Sequence, residues 1–245
     1  MRRGGQNTRQ AIFEAATAEF AARGFAGAGV DRIARRAGVN KAMIYYHFKS
    51  KARLYSDIVR GMFAAIAART SAVASSPLSP GDKINGFIEA IVAEAGARPY
   101  MPPIMMREAA EGGRHLDPAI LRTILGVFGS LRTILDEGAS TRVFKHVDPV
   151  LMYFTLVGPI VMYLASAPVR SAIGHLAKTG GTGIDPSPFT GHLNALRDVA
   201  ALRDHLKAAA RHTLDRRPTQ ARPGKTQRPR TIGRRRAAGR SGEQA

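Results

Sequence analysis

Gly29-Val-Asp-Arg-Ile-Ala-Arg-Arg-Ala-Gly-Val-Asn-Lys-Ala-Met-Ile-Tyr-Tyr-His-Phe48 is the stretch whose reading decides the fold. Gly38 separates two short helical runs, and Asn40 suits the cap of the second, where a side-chain oxygen can accept from a free first-turn amide. In that second run Ile44 and Phe48 stand four apart, with Val39 just before them, while Ile33 and Ala37 offer the matching apolar pair on the first. Beside this seam Lys41 and Tyr45, also four apart, share an outward face with Ala42. Such a face fits the major groove of DNA: Lys41 can donate to guanine edges or a phosphate, and the Ala42 methyl can meet a thymine methyl. The aromatic pair Tyr45-Tyr46 sits on the same short helix. Tyr45, His47 and Lys51 carry donors suited to backbone phosphates. The amides that open the first run, at Gly29 and Val30, form a second phosphate cradle. Asp31 is an acid near that path and is expected to turn toward Arg35 or solvent.

Charge is distributed to match. Of the formal net +19, residues 1–53 hold +8, residues 54–205 only +1, and residues 206–245 +10. A basic head and tail around a neutral body fit a polyanionic partner better than uniform basicity would. Cysteine is absent, so neither a disulfide framework nor a thiolate metal site is available. Met-Arg-Arg-Gly-Gly-Gln-Asn-Thr at the N-terminus lacks the apolar run of a signal peptide, which implies a cytoplasmic location.

Helical periodicity dominates and no convincing alternating strand is found, so the fold class is all-α: a three-helix N-terminal head with a helix-turn-helix, joined to a larger helical domain. The first helix is expected over Thr8 to Arg23, with Ile12, Ala16 and Phe20 on one face. Gly24 ends it and Phe25 folds back on Phe20. Helices follow from Gly29 to Gly38, Asn40 to Phe48 and Lys51 to Val73. Ser75-Ser-Pro-Leu-Ser-Pro-Gly81 breaks the chain. Further helices are predicted over Asp82 to Ala97, Pro102 to Glu111, Pro118 to Glu137, Pro149 to Ser166 and Phe189 to Ala210, with a loop of at most one helical turn between Ala167 and Ser187. The domains are thus 6–66 for the head (motif 29–48), 67–210 for the helical body and 211–245 for a basic, disordered tail.

Residues Thr8 to Val59 resemble the N-terminal domain of the TetR family of bacterial transcriptional regulators. Ala15-Ala16, Phe20, Arg23-Gly24-Phe25, Ile33-Ala34 and Ala37-Gly38-Val39 carry the likeness, followed by Lys41, Tyr45-Tyr46-His47-Phe48, Lys49-Ser50-Lys51 and Leu54. The resemblance implies phosphate contacts at Tyr45, His47 and Lys51 and base-facing positions at Lys41 and Ala42. It departs at Gly29, where many relatives open the helix with Ser or Thr; glycine offers no hydroxyl to a phosphate.

The same likeness implies a helical body that dimerises and binds a small effector, giving a homodimeric regulator on a partly palindromic operator in double-stranded DNA, most simply a repressor released by that effector. A TetR-type activator, or a general basic nucleic-acid-binding protein without an effector, is the alternative. Two-fold doubling has its own argument, because one helix-turn-helix reads only a few base pairs. From Pro149 to Val169 there is no charged residue. That length invites comparison with a membrane span, but Gly158-Pro159 interrupts it, and a helix buried on most sides is the better reading.

Leu156 and Ile160 in this run, with Leu193, Leu196, Val199 and Leu202 further on, form the candidate dimer seam, though ordinary packing within the chain explains the periodicity equally well. Tyr100-Met-Pro-Pro-Ile-Met-Met-Arg107-Glu108 is methionine-rich. Met101, Met105, Met106 and Arg107, with Tyr153 and Phe154, are candidates for the wall of an apolar or aromatic effector's pocket, or else core filling.

Catalysis finds no support. Gly180-Gly-Thr-Gly183 lacks the strand and Lys-Ser/Thr of a phosphate loop, and the histidines show no metal-ligand spacing. No cofactor is implied. Arg228-Pro-Arg230 and Arg234-Arg-Arg236 would let the tail track phosphates, or simply keep it solvated.

Overall fold

The computed structural model describes residues 2–179 and 199–216. Among them the regular structure is helical, and one isolated antiparallel bridge joins Phe144 and Asp215. The helices are α1 (Arg2–Gly27), α2 (Val30–Ala37), α3 (Lys41–Phe48), α4 (Lys51–Ala74), α5 (Pro80–Ala97), α6 (Met101–Ala110), α7 (Pro118–Ser140), α8 (Pro149–Ala165), α9 (Ala167–Thr179) and α10 (Val199–Leu214).

Several helices open on side-chain caps, the expected Asn40 among them. Asn40 accepts from the Ala42 amide, Ser50 from Arg53, Ser79 from Asp82, Asp117 from Ala119 and Ile120, and Asp148 from Leu151. Each satisfies a first-turn amide that the helix itself leaves open. Gly24 does interrupt α1, with φ 68° and ψ 179°, but the helix begins earlier than Thr8 and resumes for a further turn to Gly27. Phe25 in that turn stacks on Phe20, ring centroids 6.2 Å apart.

α4 is the spine. Leu54, Tyr55 and Ile58 are buried near its start, Val59, Met62, Phe63 and Ile66 further along. Its first part packs on α1 and α3, and α5 and α7 lie along it. The helix runs unbroken through residues 66 and 67, so the boundary expected there falls inside a rigid element. Asp117, the cap of α7, also receives the Ser56 hydroxyl (2.5 Å) and Arg60 Nη2 (2.8 Å), which locks α7 to α4. The Ser56 hydrogen bond, the Ile120 amide and the Arg60 charge together hold its carboxyl well below the usual aspartate range, against the opposing effect of burial.

Two expectations about the later chain are corrected. The loop between Ala167 and Ser187 is helical at least to Thr179. Pro168 sits in the first turn, where its missing N–H costs nothing, and Val169, Ile173 and Leu176 keep helical spacing. The disordered tail cannot begin at Arg211, because α10 continues to Leu214, which is buried. The Lys145 amide donates to the Leu214 carbonyl (3.1 Å), pinning the end of α10 beside Phe144. The remainder of the tail, residues 217–245, and the Phe189 start of that helix lie outside the described residues.

α8 corrects a third. It was expected to be buried on most sides, yet only one face is covered, by Met152, Tyr153, Leu156, Val157, Ile160 and Val161. Leu151 on the opposite side is 70% exposed, and Phe154 and Met162, 60% and 55% exposed, line a cavity. By length and composition α7 could cross a membrane, as could α8 and α9 taken as one bent pair.

Candidate functional site

The head forms as its spacing requires. Ile33, Ala34, Ile44 and Phe48 are buried, and Ala37 and Val39 are half-buried against them. Gly38 adopts the left-handed conformation (φ 66°, ψ 30°) that lets the chain turn between α2 and α3. The turn then delivers α3 with Lys41, Ala42, Tyr45 and Tyr46 facing outward; Tyr46 is 70% exposed, with no core contact to hold it there.

Several individual roles differ in detail. Asp31 neither turns to Arg35 nor stands free: its Oδ1 lies 2.9 Å from Lys41 Nζ and raises the lysine pKa. The Gly29 amide is already engaged, over a long 3.4 Å, by Glu19 Oε1. That carboxylate also takes Arg32 Nε at 2.5 Å, and Arg32 reaches on to the Gly27 carbonyl. Burial would raise the Glu19 carboxyl, but the Arg32 hydrogen bond, the Gly29 amide and the charges of Arg32 and Arg23 outweigh it and hold it low. The α2 N-terminus is thus partly served by an acid of the chain itself. Val30 is half-buried and packs against the core. His47 is half-buried, edge-on to Tyr46, with Nε2 turned inward and unpartnered among the described residues. Lys51 Nζ lies 4.7 Å from the centre of the Phe25 ring.

Below the head lies a cavity of about 550 Å³ between α4, α6, α7 and α8. Met105, Met106, Tyr153 and Phe154 line it. Met101 does not: it is buried in the core deeper in the body. Arg107 points the other way, donating from Nη2 to the Ala22 carbonyl at 2.9 Å and lying against Gly24. Neighbouring residues on a helix diverge by about 100°, and it is Glu108, not Arg107, that faces the cavity. Phe128 stacks on Tyr153 with centroids 3.9 Å apart, and burial pushes the Tyr153 phenol up to about 12.

Among the described residues of the lining Glu108 is the only charged one, and it is 5% exposed. Its Oε1 accepts from Tyr55 Oη at 2.5 Å and meets His115 Nδ1 at 2.9 Å. Burial first, then the Glu108 hydrogen bond and charge, push the Tyr55 phenol far above its usual value, so it stays a donor. Tyr55 packs edge-on against Phe20 (4.8 Å) and Phe25 (5.2 Å), and His115 lies 4.4 Å from Phe25. One cluster therefore touches both the cavity wall and α1 of the head. Sequence reasoning missed Tyr55 and His115: Tyr55 meets Glu108 across 53 positions, and His115 meets it only because the chain turns back after α6.

The described residues of the candidate dimer seam pack within the chain itself. Leu156 and Ile160 are 1% and 0% exposed within one protomer and serve its own core. Val199 and Leu202 are half-buried against that core as well. Leu193 and Leu196 lie outside the described residues. Apolar side chains left uncovered include Leu151 on α8 and Val169, Ile173 and Leu176 on α9.

Comparison with known proteins follows the same division. Residues 12–58 match the model of bacterial regulatory proteins of the tetR family. The chain is 36% identical over 106 residues to the HTH-type transcriptional repressor SCO4008 of Streptomyces coelicolor, an alignment covering 43% of this chain and 52% of that protein. It is 26% identical over 140 residues to the HTH-type transcriptional repressor NicS of Pseudomonas putida, covering 56% and 66%. The chain thus spans about half the length of the first relative and two thirds of the second. Among solved structures, SCO4942 of Streptomyces coelicolor superposes with a TM-score of 0.56 at 29% identity, over 86% of this chain and 99% of that one.

Proposed function

We propose that this chain, whose residues 12–58 match the tetR-family model, is a TetR-type regulator, an effector-responsive DNA-binding repressor acting in the cytoplasm as a homodimer. Two copies of α3 enter successive major grooves of a partly palindromic operator. Lys41 and Ala42 face the bases, and Tyr45, Tyr46, His47 and Lys51 approach the backbone, with the amides beyond Gly29 and Val30 beside them. A small molecule in the cavity then favours a state that releases the operator.

The observation that carries this reading is the double use of α4. Its first turns hold the head through Leu54, Tyr55 and Ile58, and its next turns supply Val59, Met62 and Phe63 to the cavity wall. Filling the cavity therefore acts on the element that sets the position of α3. The required preference of a ligand for the releasing state is about 1–3 kcal/mol, a range typical of coupled sites. The exposed stripe of α8 and α9 supports dimerisation rather than membrane insertion, since the opposite face of α8 is built into the protein core.

Genomic fragments selected on the purified protein, followed by gel shifts with the recovered sequence and its scrambled version, test the reading. A salt-sensitive shift confined to the recovered sequence is expected. Equal retardation of scrambled DNA would leave only a basic nucleic-acid-coating protein.

A further inference from the structure

We infer that the cavity takes an apolar molecule bearing a protonated amine, seated with its cationic end on Glu108. This rests on reading the cavity as the effector site. The wall is otherwise hydrocarbon, aromatic and thioether, supplied by Met62, Phe63, Ile104, Met106, Leu116 and Phe128 among others. At about 550 Å³ it matches the usual range of small-molecule pockets, about 300–1,000 Å³.

Glu108 is anomalous in that wall. A carboxylate has about four acceptor positions, yet both neighbouring donors, Tyr55 Oη and His115 Nδ1, converge on Oε1. Oε2 is buried and has no partner among the described residues. The protein's cations near this point are committed elsewhere: Arg107 to the Ala22 carbonyl, Arg114 to Glu111, Arg60 to Asp117. A buried acceptor left open costs stability unless something supplies the missing donor. An ammonium group does so with a charge-assisted hydrogen bond, strengthened by the apolar surroundings. A ligand carboxylate would place like charges together, and an alcohol would bring a donor without the charge.

Calorimetric titration of the full chain with decylamine, decanol and decanoate, near neutral pH and below micelle formation, separates these. Decylammonium is expected to bind at least about tenfold more tightly than either of the others. Glu108→Gln, checked for folding by its melting curve, should erase that margin while leaving decanol binding nearly unchanged. The ranking in the unaltered protein stands as a test even if the variant does not fold. Equal or tighter binding of decanoate or decanol overturns the assignment. So does an undiminished amine affinity in Glu108→Gln, or binding of none of the three. Operator binding is read separately by gel shift. Loss of the amine preference with an intact operator shift removes only this assignment, whereas absence of any operator shift removes the reading beneath it.

Discussion

Tyr55 Oη lies 2.5 Å from Glu108 Oε1 and so ties the helix that carries the head to the charged residue of the cavity wall. The two side chains are 2% and 5% exposed, which makes the bond a dry one to a charged acceptor. Such bonds are worth about 1.5–3 kcal/mol. Tyr55→Phe keeps the ring against Phe20 and Phe25 and removes only the hydroxyl. Its unfolding free energy in urea should fall by that amount, with the m-value unchanged. A loss below about 0.5 kcal/mol would show that His115 alone satisfies the carboxylate.

Asp117 predicts an acid limb in the stability profile. The Ser56 hydroxyl, the Ile120 amide and Arg60 hold its folded pKa below the unfolded value of about 3.9. The unfolded chain therefore binds more protons as pH falls, so this contribution is fully present above about pH 4 and is lost as pH drops toward the depressed folded value. Asp117→Asn should be less stable by about 1 kcal/mol near neutrality, and its urea midpoint should fall less steeply than that of the unaltered protein below about pH 4. Parallel acid limbs for the two proteins would assign the effect to other carboxylates.

The head was legible because each of its devices is local. Asn40 caps the helix that starts beside it, Gly38 needs no partner to turn the chain, and the Ile44–Phe48 spacing alone declares a buried face. The body was legible only as helices. α8 is apolar on both faces, so hydrophobicity could not say that Leu156 and Ile160 turn inward while Leu151 turns outward. That choice is made by α5, α6 and α7, whose positions no short window of sequence contains. The same holds for Arg107 and Glu108: one residue of helical phase separates a clasp on α1 from the wall of the cavity. Asp31 was misread for a related reason, since its partner Lys41 lies across the turn in another helix.

That ion pair leads to a prediction about DNA. Asp31 and Lys41 are both solvent-exposed, with 70% and 48% of their side chains accessible, so the pair itself adds little to stability. Asp31 nevertheless competes with phosphate and base acceptors for the lysine. Asp31→Asn should bind operator DNA several-fold more tightly at low salt, with an unchanged melting temperature, and the gain should shrink as salt rises. Fluorescence anisotropy across a salt series measures this. Weaker binding would mean that Asp31 orients Lys41 for the groove, and Lys41→Ala would then show the same loss.

The proposed dimerisation rests on the side chains that the chain leaves uncovered. On α9 Val169 and Ile173 are four apart and Leu176 follows three later, so they form one stripe, 60%, 47% and 55% exposed. Leu151 extends apolar surface onto the outer face of α8. Uncovered apolar surface of this kind marks an interface in a soluble protein. Ile173→Glu places a charge at the middle of the stripe without touching the core. It should convert the dimer to a monomer by light scattering, keep the helical circular dichroism, and abolish high-affinity operator binding, because one head reads too few base pairs to hold alone. Leu156→Ala supplies the contrast. Its side chain is 1% exposed, so the cost falls on the fold, about 2–5 kcal/mol of unfolding free energy, while any chain that remains folded still dimerises. A dimer that survives Ile173→Glu and dissociates in Leu156→Ala would return the interface to the inner face of α8.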